Sequence, residues 1–227
     1  MFDAVIFDCD GVLVDSEILA AEIEQAALAE IGLVYERDEY MALFMGMSTE
    51  AFYEAIEYEH RARYDRSLPE GFQARCHARY REAWPRLTAV PGVRKAVEGV
   101  PCLRAVASSS TADALARKLE RTGLWALFAP HVYSADHVTY AKPAPDLFLF
   151  AADALKVEPE RCLVIEDSIN GVMAARAAGM TVWGFLGGAH MSARAGERLT
   201  AAGAARLVGD WTEARELFAE EFGGGER

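Results

Sequence analysis

Four short apolar runs, each ending at polar or small residues, constrain the fold of this 227-residue chain more than any other feature. They occupy residues 4–7, 103–107, 162–165 and 181–185. An unbroken apolar run of this length suits a strand buried on both faces, as in a parallel sheet. Helical patterns follow most of them, as in the Ala-rich stretches 111–119 and 169–178. Strand, polar loop and helix in repetition predict a doubly wound α/β sheet.

One long segment interrupts this alternation. Residues 16–87 have no strand pattern but four helical ones, at 17–31, 38–44, 49–63 and 69–84. The turn signal Pro91-Gly92 then restarts the α/β pattern. We therefore predict an α/β core of residues 1–15 and 88–227, and a helical insertion of residues 16–87 that folds over the carboxyl edge of the sheet.

Composition and charge disfavour several classes of protein. A net charge of -12 argues against a broad nucleic-acid-binding surface. The apolar runs fall short of the ~20 residues of a membrane helix, and the start MFDAVIFDCD is unlike a signal peptide. Four well-separated cysteines indicate neither a zinc site nor a disulfide framework. The cysteine pattern fits a reducing cytoplasm. We expect a monomer, since no long apolar stripe is left over to form an interface. Neither nucleic acid nor membrane is an expected partner.

Two acidic motifs suggest a metal site. Asp8 and Asp10 directly follow the first run, and Gly11 lets the chain turn after them. Like charges this close oppose each other's ionisation, and a hard cation such as Mg²⁺ is the usual compensation. Glu166 and Asp167 follow the third run and can complete the site. The structural alternatives are a surface turn for the first motif and a helix N-cap for the second.

Two further motifs could bind an anion. Ser108 follows the second run, where a hydroxyl and backbone amides at a helix start can hold a phosphate. Lys142 precedes two prolines that stiffen the backbone, and it could balance carboxylates and phosphate. A lone lysine is more often a solvated surface charge. Serines in such runs more often cap helices, although Ser110 or Thr111 is the better candidate for that cap.

The order and spacing of these motifs resemble the haloacid dehalogenase superfamily, in the branch with a helical cap inserted after the first strand. The run DCDGVLVDSE at 8–17 matches the opening motif of that family without a gap. Ser108, Lys142 and the run Glu-Asp-Ser at 166–168 match its other three motifs. The resemblance covers nearly the whole chain.

This resemblance implies a covalent mechanism of phosphoryl transfer. Asp8 would attack phosphorus and form an aspartyl-phosphate, while Asp10 would protonate the leaving oxygen and later activate water. Ser108 and Lys142 would hold the transferring phosphoryl oxygens.

The resemblance also implies Mg²⁺ as the cofactor. Asp8, the backbone carbonyl of Asp10 and Asp167 would hold the ion, and Glu166 would orient a metal-bound water.

The expected substrate is a small phosphorylated metabolite. Within the superfamily, the chain is similar to bacterial sugar-phosphate and 6-phosphogluconate phosphatases, so we expect a sugar phosphate or sugar-acid phosphate. The candidate substrate contacts are Gly11, Ser109, Gly46, Ser48, Thr49 and His190. Three cationic or aromatic side chains of the cap are further candidates, with a solvated helix face as their alternative: Arg75, His77 and Arg79.

Other reactions of the superfamily fit the sequence less well. Dehalogenases lack an acid at the position of Asp10, because a departing halide needs no proton. Phosphomutases of the β-phosphoglucomutase type carry an arginine where this chain has Thr49 and a histidine where it has Ala20. A phosphonatase would need a lysine in the cap, and residues 16–87 contain none. A catalytically idle binding relative is the remaining alternative, although it would not need the second acid, Asp10.

Overall fold

The computed structural model describes residues 2–44, 47, 49–192 and 194–223. The chain divides into two compact units, one of Met1–Asp15 with Thr88–Arg227 and one of Ser16–Leu87. Within the described residues, every helix is too short or too polar to span a bilayer.

A six-stranded parallel sheet with the strand order β3-β2-β1-β4-β5-β6 forms the centre of the larger unit. Its strands are β1 Ala4–Phe7, β2 Leu103–Ser108, β3 Val132–Ser134, β4 Cys162–Glu166, β5 Thr181–Phe185 and β6 Arg206–Val208. The chain adds β2 and β3 on one side of β1, and β4, β5 and β6 on the other. The strand order therefore reverses between β1 and β4, which is where ligands bind in open α/β sheets.

The sequence pattern predicts four of these six strands and misses β3 and β6. Both missed strands are three residues long and lie at the two edges of the sheet. An edge strand this short contains no sustained apolar run, so its sequence does not distinguish it from a loop. The four predicted runs begin at the observed first residues and end within one residue of the observed last ones.

The smaller unit is helical over its described residues. Its helices are α1 Ser16–Glu30, α2 Arg37–Phe44, α3 Thr49–Tyr64 and α4 Phe72–Ala83, followed by the 3₁₀ turn Trp84–Arg86. Its core is aromatic: Phe52 lies edge-on to Phe44 and to Tyr53, with ring centres 5.4 Å and 5.3 Å apart. The predicted helices agree closely except at α4, expected from residue 69. Gly71 has a left-handed φ of 72°, so this helix begins only at the next residue.

Helices cover both faces of the sheet in the larger unit. They are α5 Val93–Glu98, α6 Ala112–Arg121, α7 Trp125–Phe128, α8 Asp146–Leu155, α9 Ile169–Ala177, α10 Ala195–Ala202 and α11 Trp211–Gly223. Successive residues of β1 point to opposite faces. Ile6 lies in a buried cluster with side chains of α8 and α9. Phe7 packs on the other face against Phe128 of α7 and Trp211 of α11, with ring centres 5.6 Å and 5.9 Å apart. The unit is thus the doubly wound α/β fold that the alternation predicts.

Candidate active site

The predicted catalytic motifs meet at the carboxyl ends of three adjacent strands. Phe7 of β1 is in register with Val106 of β2 and Ile165 of β4. The next residues along these strands therefore lie side by side. The Asp8 amide donates a hydrogen bond to the Ile165 carbonyl at 3.0 Å, so Asp8 extends the line of β1. Its side chain is buried, as is that of Ser108 at the end of β2.

Lys142 connects these strand ends. Its Nζ donates to Asp8 Oδ1 at 2.5 Å, to Glu166 Oε2 at 2.8 Å and to the Ala107 carbonyl at 3.0 Å. Three acceptors match the three hydrogens of an ammonium group. The Lys142 side chain is only 4% exposed, and Nζ lies 4.7 Å from the centre of the Phe148 ring. The lysine is therefore a buried cation with defined partners rather than a solvated surface charge.

Burial and neighbouring charges together shift the pKa values of Asp8 and Lys142. Burial raises the pKa of Asp8 well above its usual range and the Glu166 carboxylate raises it further, whereas Lys142 acts in the opposite direction. Burial lowers the pKa of the Lys142 ammonium, but the carboxylates of Asp8 and Glu166 outweigh burial and leave that pKa raised. A second cation at this place would stabilise the ionised form of Asp8.

Asp8, Glu166 and Asp167 fit a divalent cation. Each is buried, and one carboxylate oxygen from each lies within 4.8 Å of the others. Oxygen ligands of this kind suit Mg²⁺. Glu166 Oε1 accepts from the Ser168 amide at 3.0 Å and the Ser168 hydroxyl at 2.8 Å, and Oε2 accepts from Lys142. Because both Glu166 oxygens are already engaged, this residue is better suited to orient a bound water than to ligate an ion directly.

Two glycines make room for these carboxylates. Gly11 has a φ of 77°, and a Cβ atom there would lie 1.9 Å from Asp167 Oδ2. In α9, a Cβ atom at Gly171 would lie 1.9 Å from Glu166 Cδ. Any larger residue at either position would displace the carboxylate. The structure therefore gives Gly11 a steric role beside Asp167. Its contact with substrate stays a prediction.

The side chain of Asp10 lies outside the group of Asp8, Glu166 and Asp167 and contacts α6. Its Oδ2 accepts from Ser110 Oγ at 2.9 Å, and Ser108 Oγ lies 3.4 Å away. Its Oδ1 pairs with Lys118 Nζ, which also donates to Ser110 Oγ at 2.9 Å.

Lys118 is not predicted from the sequence, and Ser110 is predicted only as a possible helix cap. Thr111 is the N-cap of α6, since its hydroxyl accepts from the Ala114 amide at 3.4 Å. Ser110 is therefore available to Asp10. The only sequence signal for Lys118 is a cation next to the buried stripe of Leu115 and Leu119, and that pattern is common on surface helices.

The remaining predicted contacts of the larger unit are Ser109 and His190. Ser109 lies between the two serines near Asp10, and its side chain is exposed. His190 Nε2 lies 3.1 Å from Asp167 Oδ2, and the ring is mostly buried. The structure therefore places His190 beside a candidate metal ligand.

The candidates in the smaller unit lie on or next to its helices. Thr49 is the first residue of α3, and Gly46 and Ser48 lie outside the described residues. Arg79 forms an ion pair with Glu30 at 2.5 Å. Arg75 Nη1 donates to the Glu70 carbonyl at 2.8 Å, and the His77 ring packs edge-on against Tyr53. Each of these three side chains thus has a partner within its own unit.

Comparisons with known proteins agree with this geometry. A family model described as haloacid dehalogenase-like hydrolase matches residues 2–179. A phosphorylated carbohydrates phosphatase from Thermotoga maritima is 34% identical over 214 residues, which cover 91% of this chain and 94% of the relative. A bifunctional riboflavin kinase/FMN phosphatase from Arabidopsis thaliana is 29% identical over 184 residues, which cover 78% of this chain but only 47% of the longer relative.

A solved structure supports the same assignment. A HAD family hydrolase from Deinococcus radiodurans, with bound phosphate and sodium, superposes with a TM-score of 0.84 at 36% identity over 96% of both chains. The match to the family model covers well over half of the sequence. This chain therefore belongs to the haloacid dehalogenase-like hydrolase family.

Proposed function

We propose that this hydrolase is a Mg²⁺-dependent phosphatase of small phosphorylated metabolites, and that the Asp8 carboxylate is its nucleophile. The observation that carries the proposal is the pairing of two acids with different surroundings. Asp8 is buried against Lys142, whereas Asp10, two residues on, is bound by Ser110 and Lys118. A nucleophile and a separate proton donor are what phosphoryl transfer to a carboxylate requires. The phosphatases among the relatives support the same reaction.

The reaction proceeds in two steps. An oxygen of Asp8 attacks phosphorus, the bond from phosphorus to the leaving oxygen breaks, and Asp10 gives its proton to that oxygen. Asp10, now a carboxylate, then takes a proton from a water that attacks the phosphorus of the aspartyl-phosphate. The bond from phosphorus to the Asp8 oxygen breaks, inorganic phosphate leaves, the Asp8 carboxylate is restored and Asp10 is protonated again.

Ser108 and Lys142 are the proposed phosphoryl-binding residues in both steps, and Lys142 would exchange one of its three present acceptors for a phosphoryl oxygen. The Lys142 ammonium is within 2.5 Å of the attacking carboxylate, so its charge is already in place where negative charge develops. The buried Ser108 hydroxyl lies at the end of the neighbouring strand.

Asp8, Asp167 and the backbone carbonyl of Asp10 are the proposed Mg²⁺ ligands, with Glu166 orienting a bound water. The ion would neutralise charge between the nucleophile and the phosphoryl group. The three buried carboxylates and the raised pKa of Asp8 support a cation here.

The proposed substrates are sugar phosphates or sugar-acid phosphates. The phosphorylated carbohydrates phosphatase among the relatives supports this class. Residues 16–87 are proposed to act as a cap domain, in which Gly46, Ser48 and Thr49 are the proposed substrate contacts. In the larger unit the proposed substrate contacts are Gly11, Ser109 and His190. We also propose a monomer in the cytoplasm. The free thiols of Cys9, Cys76, Cys102 and Cys162 fit a reducing compartment.

A metal-dependence assay tests the proposal. Purified protein is incubated with p-nitrophenyl phosphate and with a panel of sugar, sugar-acid and nucleoside phosphates. We expect phosphate release with Mg²⁺, loss of release in EDTA and recovery when Mg²⁺ is added back. Release that EDTA leaves unchanged would refute the metal assignment. Interconversion of hexose 1- and 6-phosphates in place of phosphate release would indicate a phosphomutase.

A further inference from the structure

We propose that Lys118 is a positioning residue that holds the Asp10 carboxyl group in the orientation from which it protonates the leaving oxygen. This inference rests on the proposed function, because it assumes that Asp10 is the general acid. It concerns a different lysine from Lys142, which contacts the nucleophile rather than the acid.

The contacts form a closed triangle around the Asp10 carboxylate. Lys118 Nζ pairs with Oδ1, Ser110 Oγ donates to Oδ2 at 2.9 Å, and Lys118 Nζ lies 2.9 Å from Ser110 Oγ. The two oxygens of the carboxylate therefore have different donors. Turning the carboxylate about its last bond would break both contacts at once. A charge-assisted hydrogen bond of this kind is stronger than one between neutral groups.

The pair is also shielded from water. The side chains of Lys118 and Asp10 are 13% and 20% exposed, whereas the pair between Arg117 and Asp113 on the same helix is 58% and 77% exposed. Surface ion pairs contribute little because water screens them and both side chains lose freedom. The Lys118–Asp10 pair is mostly removed from that screening, so it can restrain the acid.

The position of Lys118 on α6 explains its reach. Helix α6 follows β2, so its amino end lies at the same edge of the sheet as the site. Side chains in a helix lean toward the amino end, and the lysine stem carries Nζ back toward Asp10. Leu115 and Leu119 are fully buried on either side of Lys118 in sequence and anchor the helix to the core. The ammonium is thus supported by a fixed element rather than by a loop.

The contact of Lys118 with Asp10 would act in the first chemical step, the transfer of the phosphoryl group to Asp8. One oxygen of the protonated Asp10 carboxyl group carries the proton toward the leaving oxygen, while the other accepts from Lys118. As the bond to phosphorus breaks, the proton passes to the leaving oxygen and an alcohol departs. The carboxylate that remains is paired with the ammonium. The benefit of this alignment depends on how much the leaving group needs a proton.

Leaving-group dependence therefore distinguishes a residue that positions the acid from one that binds phosphate. An alkyl phosphate releases a strongly basic alkoxide unless it is protonated, whereas 2,4-dinitrophenyl phosphate releases a stable phenolate. The experiment measures kcat/KM with Mg²⁺ for an active sugar phosphate and for 2,4-dinitrophenyl phosphate. The proteins compared are wild type, Lys118→Met, Lys118→Arg and the control Arg117→Met. The control removes an exposed cation at the adjacent position of the same helix.

We expect Lys118→Met to lower kcat/KM for the sugar phosphate at least about tenfold more than for dinitrophenyl phosphate, since general acid catalysis contributes about 10²–10⁴-fold. Lys118→Arg, which retains a cationic donor, should recover part of that selective loss. Arg117→Met should leave the ratio between the two substrates unchanged. Ser110→Ala should shift the ratio in the same direction as Lys118→Met, by a smaller factor.

Equal losses for both substrates would overturn the inference, because a phosphate contact or a general structural role does not depend on the leaving group. An unchanged ratio with full activity would overturn it as well. Thermal unfolding is recorded for each variant, and if Lys118→Met does not fold, the ratios for Lys118→Arg and Ser110→Ala decide. Wild-type protein inactive on both substrates would instead refute the proposed function.

Discussion

Among single residues, Lys142 has the largest part in holding the site together. Its ammonium group contacts side chains or carbonyls at the ends of β1, β2 and β4. The Asp8 and Glu166 carboxylates on either side of it are buried. Removing one partner of a buried ion pair leaves a charge without compensation, and this costs more than the pair itself contributes.

We therefore expect Lys142→Met to destabilise the protein and to abolish activity on every substrate. The free energy of unfolding, measured with denaturant in EDTA, should fall by about 3–5 kcal/mol. The control is Lys156→Met, at an exposed lysine paired with Asp153 at the end of α8. This variant should unfold like wild type. A Lys142→Met protein as stable as the control would contradict the structural role.

The sequence predicts where some of these residues lie, because polar residues at the ends of parallel strands come to one edge of the sheet. Asp8, Ser108, Glu166 and Asp167 each lie at or next to the end of an apolar run, and the structure brings all four to one edge of the sheet. Lys118 has no such marker. It reaches the site from the second half of a helix, and only the packing of α6 on the sheet determines where its ammonium group lies.

Among the elements, the turn after β1 and the start of α9 are shaped by the space that carboxylates need. Gly11 combines a left-handed φ of 77° with a close approach to Asp167. Gly179 lies two residues after the end of α9 and has a similar φ of 80°. A Cβ atom there would have only one neighbouring atom within 4 Å, at 3.9 Å. Substitution of either glycine has the free-energy cost of a left-handed backbone. Only substitution of Gly11 would also displace a site residue, Asp167.

We predict that Gly11→Ala and Gly179→Ala differ in activity more than in stability. Both alanines must adopt a left-handed conformation, which costs about 1–2 kcal/mol in the free energy of unfolding. Only the Gly11→Ala methyl group overlaps Asp167, so only this variant should lose Mg²⁺-dependent kcat/KM, by at least about tenfold. The measurements are denaturant unfolding and steady-state kinetics across a Mg²⁺ titration. Wild-type kinetics in Gly11→Ala would show that the Asp167 position is unimportant.

Strand length and position in the sheet decide which strands the sequence predicts. The unbroken apolar runs of β1, β4 and β5 predict their strands, because a strand buried on both faces needs apolar side chains at every position. The edge strands β3 and β6 are three residues long, too short to contain a sustained apolar run. They form because neighbouring strands offer unpaired backbone groups, which a single-sequence pattern does not contain.

At the scale of the whole molecule, the chain consists of two units that each have their own apolar core. In the helical unit, Glu24 of α1 accepts hydrogen bonds from the hydroxyl groups of Tyr40 in α2 and Tyr80 in α4. Burial raises the pKa of Glu24, although the two tyrosine hydrogen bonds act in the opposite direction. This carboxyl group therefore joins three helices. Its contribution to the free energy of unfolding depends on pH, because burying the ionised form is unfavourable.

The sign of that dependence follows from the raised pKa. A group whose folded-state pKa exceeds its unfolded value contributes stability that is fully present below the unfolded pKa. That contribution is lost as pH rises through the folded pKa. Glu24→Gln should therefore gain stability relative to wild type as pH rises from below about 4, near the unfolded pKa, toward neutrality.

Denaturant unfolding of Glu24→Gln and wild type at a series of pH values measures this difference. Glu22→Gln, at an exposed carboxylate on the same helix that pairs with Arg86, reports the general effect of removing one acid. A difference between Glu24→Gln and wild type that is independent of pH, or that grows against the variant at neutral pH, would contradict the assignment.

In the proposed reaction, the Asp8 carboxylate forms a covalent bond to phosphorus. Enzyme and phosphorylated substrate are mixed with Mg²⁺, quenched in acid at early times, reduced with borohydride and digested for peptide mass spectrometry. Borohydride reduces an acyl phosphate to an alcohol and leaves a free carboxylate unchanged. We predict reduction at Asp8 only when substrate is present, and neither reduction nor turnover in Asp8→Asn. Turnover in Asp8→Asn equal to wild type, or steady turnover without a reduced Asp8 in wild type, would contradict the account.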